Sequence, residues 1–249
     1  RLLCEPQLAH LGRAMGCDSV NSLLTTRGKD GAVAMRADRP MLVVSSTSWT
    51  ADEDFSILLA ALVAYDAQAA APAADGATLP PLVVLITGKG PLRAYYEGEV
   101  ARLGLQRVHI ATAWLSAEDY PLCIGSADLG VSLHTSSSGL DLPMKVVDML
   151  GCGTPVCAYR FSCIGELVTE ANGLVFSSAD ELASQLQELA ASRHGARYHR
   201  LLRGAAEFRR IDWDANYGPV LELVERGLAP AAARAGLQAS PIGAPRRAE

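Results

Sequence analysis

A doubly wound parallel α/β sheet is the fold class this sequence predicts, on three observations. Strand-length apolar runs alternate with helical stretches five or six times along the 249 residues. The runs are continuous, as in "MLVVSS" and "LVVLIT", so both faces of each strand are buried, as parallel strands covered by helices require. Only about six such units are present, too few for a barrel of eight.

The elements follow in order. Residues 1–38 read as an irregular lead segment: "TTRGKDG" is rich in turn formers, and Arg39-Pro40 closes the stretch. "MLVVSS" at 41–46 is the first strand. "DEDFSILLAALVAYDAQ" is helical, with Phe55, Leu58, Leu59, Leu62 and Val63 as its apolar positions. Acids in its first turn suit the positive end of the helix dipole. "LVVLIT" at 82–87 is the second strand, closed by "GKGP", and "LRAYYEGEVARLGL" is the helix after it. "RVHIAT" is the third strand, "SAEDYPLCIGSA" a short helix and "DLGVSLH" at 128–134 the fourth strand. A loop leads to a helix from about Leu142, with Pro143 in its first turn. Two more strands, "PVCAYR" and "NGLVF", come next. "SSADELASQLQELAAS" opens with Ser178 three residues before Glu181, the spacing of a capping box. "YHRLLRGAAEFRR" and "DWDANYGPVLELVERGL" continue as helices. The expected organisation is a Rossmann-like domain over 39–193, carboxyl-terminal helices over 194–228, and a disordered Ala-, Pro- and Gly-rich tail over 229–249.

Composition bounds the function classes. Apolar residues make up 49%, enough to build a core, and the net charge of -5 lacks the basic excess of a general nucleic-acid binder, so no nucleic-acid partner is expected. The longest apolar run, "FSILLAALVAY", is far shorter than the roughly 20 residues that span a bilayer. The opening "RLLCEPQLAH" lacks the blocks of a signal peptide. It also lacks an initiator Met, so a fragment or a processed product is expected. Cys4, Cys17, Cys123, Cys152, Cys157 and Cys163 form no Cys-x-x-Cys pair and read as free, buried thiols in a reducing compartment. His10, His109, His134, His194 and His199 show no ligand spacing, so neither metal nor cofactor is expected.

In doubly wound sheets ligands bind beyond the carboxyl ends of the strands. Four loops qualify. "SSTSWTADED" offers hydroxyls and Trp49, either as a helix cap or as a ligand contact. "TGKGP" has two glycines that let backbone approach a ligand, with Lys89 between them for a phosphate. "ATAWLSAED" carries Trp114, which stacks on a base or sits in the core. "HTSSSGLDLPMKVVDML" leads into a helix N-terminus, where free backbone N–H groups bind anions. At about 100° per residue, Asp141, Lys145 and Asp148 fall at relative angles of about 0°, 40° and -20°. Leu142, Val146, Met149 and Leu150 fall on the other side. The stripe is either a solvated face with ion pairs along the helix or the wall of a site whose acid reaches the ribose of a nucleotide held at the helix tip.

Several long blocks match one family in order: "VVSSTSWTADEDFSILLAAL", "LITGKGP", "AWLSAEDYPLCIGSADLGVSLHTSSSGLDLPMKVVDMLGCGTPVCA" and "ELVTEANGLVF". Over 39–193 the chain resembles the carboxyl-terminal domain of the chitobiosyldiphosphodolichol β-mannosyltransferases, which have the two-domain GT-B fold. The resemblance implies transfer of mannose from GDP-mannose to GlcNAc2-diphosphodolichol, with inversion, on the cytosolic face of the endoplasmic reticulum membrane. It implies that this half holds the donor. It also implies a missing amino-terminal domain that carries the membrane anchor, much of the site for the lipid-linked chitobiose acceptor, and the catalytic base, which is unknown here.

By position, the resemblance puts Asp148 on the donor ribose, the backbone of Gly139 and Leu140 on the diphosphate beside Ser138, and Trp114 and Leu115 at the base. Two positions depart from the wider pattern. Many retaining GT-B enzymes carry a pair of glutamates here; this chain has Leu140 at the first and Asp141 beside it, which leaves a sugar-hydroxyl role for Asp141 open. Related enzymes often carry a Lys at the start of the first helix for the diphosphate. This chain reads Asp52-Glu53-Asp54, so either Lys89 or Lys145 supplies the charge. A nucleotide-sugar-binding or interaction module without turnover is the alternative. A nicotinamide-dependent oxidoreductase lacks support, because no G-x-G-x-x-G follows the first strand.

Overall fold

The computed structural model describes residues 8–18, 20–71, 78–135, 138, 140–193, 195–208 and 217–227. The lead segment is more ordered than its composition implies. It holds a short helix, α1 (Ala9–Ala14), and a hairpin of β1 (Thr25–Arg27) and β2 (Val33–Met35), paired from Thr25↔Met35 to Arg27↔Val33. The turn-rich "TTRGKDG" is where that hairpin begins to reverse, and Leu8, Leu11, Leu23 and Leu24 pack into the core with Leu42, Val83 and Leu85. Three-residue strands are too short to leave an alternating signature.

The main elements are β3 (Met41–Ser46), α2 (Phe55–Ala70), β4 (Leu82–Thr87), α3 (Arg93–Leu103), β5 (Val108–Ala113), α4 (Asp119–Gly125), β6 (Leu129–Ser132), α5 (Met144–Gly151), β7 (Val156–Tyr159), β8 (Gly173–Phe176), α6 (Ala179–Ala191) and α7 (Ala196–Phe208). Six strands form one sheet in the order β5-β4-β3-β6-β7-β8, and every pairing is parallel. β3 and β4 are buried at all positions, as their unbroken apolar runs require. The chain winds outward from β3 in one direction and then from β6 in the other. The topological switch point therefore lies between β3 and β6, which pair from Val43↔Leu129 to Ser45↔Val131. A crevice is expected beyond the carboxyl ends of these two strands.

Helices cover both faces. α2 buries Phe55, Leu58, Ala61, Leu62, Tyr65 and Ala69, while Val63 is exposed and Leu59 half-buried. The apolar face is thus rotated from the sequence reading: small Ala61 and Ala69 allow close packing and carry the stripe that the larger aliphatics only partly marked. Asp66, also buried, accepts hydrogen bonds from the N–H groups of Gln106, Arg107 and Val108 at 2.9, 2.6 and 2.9 Å and anchors the start of β5. The expected acids are not in the first turn of α2: Asp54 is its N-cap, accepting from Ser56 N at 3.0 Å, and Glu53 turns back into the preceding loop. Ser178 caps α6 by accepting from Glu181 N as its spacing implies, and the Glu181 carboxylate accepts in turn from Ser177 N at 2.6 Å.

The described residues through Phe208 form one compact unit. α7 belongs to it: Ala205 is fully buried among Val44, Val146 and Met149. At the amino ends of the strands, Arg39 makes two hydrogen bonds to Asp128, at 2.6 and 2.5 Å, and Tyr198 from α7 donates to the Asp128 carbonyl at 2.9 Å. A helix over residues 217–227 lies in a second unit, with Arg226 and Glu222 paired at 3.1 Å. The tail expected to be disordered lies outside the described residues. No described helix is long and apolar enough to cross a membrane.

Candidate functional site

The carboxyl ends of β3 to β6 enclose a crevice of about 520 Å³ lined by Ser46, Thr87, Trp114, Tyr120, Lys145 and Asp148, among others. The β3–α2 loop forms one wall. Its residue Glu53 is buried and accepts hydrogen bonds from Thr47 Oγ1 and Ser48 N, each at 2.7 Å, and an ion pair from Lys145 of α5. Lys145 Nζ also lies 3.2 Å from Ser48 Oγ. Trp49 does not reach the crevice. It is 2% exposed and packs against Phe55 with ring centroids 4.8 Å apart and the rings tilted by 47°. Its φ of 52° is a left-handed conformation that a tryptophan adopts only when its surroundings impose it. Hydrogen bonds from Trp49 N to Thr47 Oγ1 and from Leu92 N to Trp49 O, each 3.0 Å, hold it there.

The glycines of "TGKGP" meet protein first. A Cβ on Gly88 or on Gly90 would lie 1.8 Å from the carbonyl oxygen of Thr47 or of Ser48, respectively. They let the second loop close against the first. Lys89, between them, sets its amine 4.2 Å from the ring centroid of Trp114, a cation–π contact. Trp114 is 61% exposed, so it is a lip residue and not a core one, while its neighbour Leu115 is 8% exposed. Tyr120, half-buried on α4, reaches Ser46 Oγ at 3.1 Å and donates to Asp148 Oδ2 at 3.3 Å. Burial raises its phenol above the usual range.

The β6–α5 connection divides the predicted stripe. α5 starts at Met144 with Pro143 as its N-cap, so Asp141 and Leu142 precede the helix and do not follow its 100° spacing. Val146, Met149 and Leu150 are buried as predicted, but Leu142 is exposed. Lys145 and Asp148 line the crevice. Lys145 pairs across the sheet with Glu53, not along the helix with Asp141 or Asp148. Asp141 turns to its own loop: Ser138 Oγ donates to its Oδ1 at 2.8 Å, and His134 Nε2 lies 3.4 Å from its Oδ2. Leu140 has an 80% exposed side chain, and its N–H donates to Ser138 Oγ at 3.2 Å. Gly139 lies outside the described residues.

The structure thus brings together Trp114, Leu115, Lys145 and Asp148 of the expected set, with Lys89 at the rim. Sequence reasoning held Ser46 only among the hydroxyls of its loop, and passed over Thr87, Glu53 and Tyr120 as crevice residues. The first two carried a signal, a hydroxyl at the carboxyl end of an apolar strand. Glu53 was hidden in an acidic run and Tyr120 in a short helix. Among the described residues no three His, Cys, Asp or Glu side chains cluster as metal ligands would. An ammonium, a carboxylate, several hydroxyls and an open aromatic face in one crevice suit an anionic, polyhydroxylated ligand with a flat ring.

The family described as "Glycosyl transferases group 1" matches residues 60–192. Chitobiosyldiphosphodolichol beta-mannosyltransferase of Homo sapiens is 53% identical over 190 residues, covering 75% of this chain and 40% of that protein. Its Mus musculus counterpart is 58% identical over 174 residues, covering 69% and 35%. UDP-glycosyltransferase TURAN of Arabidopsis thaliana is 52% identical over 196 residues, covering 74% and 42%. The chain spans about two fifths of the length of these relatives. Among solved structures, Anabaena HepE in complex with UDP and glucose superposes with a TM-score of 0.58 at 18% identity, covering 89% of this chain and 53% of that one. Sucrose-phosphate synthase of Thermosynechococcus elongatus gives 0.57 at 19% identity, covering 79% and 47%. These two likenesses speak for the fold alone: a Rossmann-like domain of the kind that forms the carboxyl-terminal half of a GT-B glycosyltransferase. With the family match spanning more than half of the chain, from within α2 to the end of α6 and through five of the six strands of the sheet, the chain belongs to the group 1 glycosyltransferases.

Proposed function

We propose that this chain is the donor-binding half of a β-mannosyltransferase that moves mannose from GDP-mannose to GlcNAc2-diphosphodolichol during N-glycan precursor assembly. The observation that carries the reading is the placement of Lys145 and Asp148 on one helix face, inside the crevice at the switch point. Asp148 takes the ribose hydroxyls, Lys145 faces the diphosphate, and Trp114 offers its open face to the guanine, with Leu115 beneath. Identity above one half to relatives of that name supports the choice of sugar and acceptor. Inverting transfer needs a base in hydrogen-bond reach of the acceptor hydroxyl, and a cleft closed on both sides. Both are assigned to the amino-terminal domain, as are the lipid-linked acceptor and the contact with the cytosolic face of the endoplasmic reticulum membrane.

Calorimetry with GDP tests the site. Asp148→Asn keeps the size of the side chain and removes its charge, and a hydrogen bond to a charged group is worth about 1.5–3 kcal/mol. Affinity for GDP should fall roughly 10- to 100-fold. Unchanged affinity in the folded variant would refute the ribose assignment. For turnover, radiolabelled mannose transfer is expected from a fusion with the amino-terminal half of a relative and not from the 249-residue chain alone.

A further inference from the structure

The crevice contains a second feature, a chain of hydroxyl groups that ends on Asp148. Thr87 Oγ1 donates to Ser46 Oγ at 3.0 Å. Ser46 Oγ and Tyr120 OH are 3.1 Å apart, and Tyr120 OH donates to Asp148 Oδ2 at 3.3 Å. The direction of the chain follows from its far end. An ionised carboxylate only accepts, so the single phenolic proton of Tyr120 is committed to Asp148. Ser46 must then give its own proton to the Tyr120 oxygen, and, having given it, accepts from Thr87. No proton is left to choice. Thr87 and Ser46 are 4% and 8% exposed, so water competes little for these bonds. Burial, the largest influence on Tyr120, keeps its phenol protonated and therefore a donor through the neutral range.

The four side chains come from β4, β3, α4 and α5, and all of them line the crevice. A carboxylate on a helix surface rotates about its last bond, and a ligand that needs one orientation must freeze that rotation. Here Oδ2 is held by Tyr120, while no described residue takes Oδ1, which remains for a ligand hydroxyl.

We propose that Tyr120 is a positioning residue for nucleotide binding: through the Thr87–Ser46–Tyr120 chain it orients the Asp148 carboxylate toward the vicinal hydroxyls of the ribose. The inference rests on the assignment of Asp148 to that ribose. It makes the preference for a ribose with both hydroxyls a property of two helices and two strands, not of one acid.

The test titrates the 249-residue chain with GDP and with its 2′,3′-dideoxy analogue. The variants are Tyr120→Phe, Ser46→Ala, Asp148→Asn and the double variant Tyr120→Phe/Asp148→Asn. Tyr120→Phe should weaken GDP about tenfold, the effect of one hydrogen bond to a charged group, and leave the dideoxy analogue unchanged. Ser46→Ala should shift in the same direction by less, which keeps the inference testable if the tyrosine variant folds poorly. In the Asp148→Asn background Tyr120→Phe should have no further effect. Equal weakening of both ligands by Tyr120→Phe, full additivity in the double variant, or an unaltered preference in both Tyr120→Phe and Ser46→Ala would overturn the role of Tyr120 alone. Asp148→Asn judges the nucleotide assignment separately: a wild-type preference for GDP in that variant would defeat the ribose reading and the positioning role with it.

Discussion

Lys145, on α5, is ion-paired with Glu53, on the loop after β3, so the two elements that flank the switch point are joined by one partly buried contact. The Glu53 side chain is 3% exposed and that of Lys145 24%. Removing one partner strands the other, which costs about 3–5 kcal/mol for a buried pair, and the more exposed lysine puts Glu53→Ala at the low end. Glu53→Ala is therefore expected to lose about 3 kcal/mol in urea denaturation. A loss within the error of the wild-type midpoint would mean that the loop is held by Thr47 and Ser48 alone.

Gly90 is expected to tolerate no side chain, since a Cβ there lies 1.8 Å from the Ser48 carbonyl. Gly90→Ala should cost at least the 1–3 kcal/mol typical of overpacking, roughly, because the obstacle is backbone. Gly98→Ala is the control: a Cβ on Gly98 of α3 meets nothing within 4 Å and should stabilise by about 0.5–1 kcal/mol. Thermal melts of both variants compare them directly; equal melting temperatures would contradict the packing of the two loops.

Asp128 joins the start of the sheet to α7. It accepts two bonds from Arg39 and one from Leu42 N at 2.8 Å, and the bond to Asp128 is the main reason the Arg39 guanidinium is held above its usual range. Asp128→Ala should lose about 3–5 kcal/mol, as for any buried pair left with one member. Tyr198→Phe removes the bond to the Asp128 carbonyl and a long one, 3.5 Å, to its Oδ1, and should lose about 1 kcal/mol. Denaturation midpoints that rank the two variants the other way would reject this account.

Thiol reactivity should divide the cysteines. Burial pushes the Cys157 thiol up to about 12 and that of Cys123 up to about 11. The thiolate is the reactive form, so both lie almost entirely in the unreactive state at pH 8. Cys17 and Cys152 are partly exposed. Iodoacetamide at pH 8, read by mass spectrometry, should alkylate Cys17 and Cys152 well before Cys123 and Cys157. Early labelling of Cys157 would show that the sheet opens on the timescale of the reaction.

The sequence by itself determined the architecture. Unbroken apolar runs such as "MLVVSS" and "LVVLIT" have no stable place except between two helical layers, and their alternation with helices leaves parallel pairing as the solution. It also pointed to the crevice, since a doubly wound sheet has its crevice at the carboxyl ends of its strands. Trp114, Lys145 and Asp148 were named on that ground, and Leu115 only through the family resemblance. Tertiary structure alone decided what those residues do to one another. Periodicity put Asp141, Lys145 and Asp148 on one stripe, but it holds only within a helix, and the chain enters α5 after Asp141. The partners of Lys145 and Asp148 are Glu53 and Tyr120, which lie 92 and 28 positions away along the chain. No local rule reaches such distances. Only the folding of α4, α5 and the first loop onto one sheet edge makes a half-buried lysine meet its carboxylate and a helix tyrosine reach the acid of the crevice.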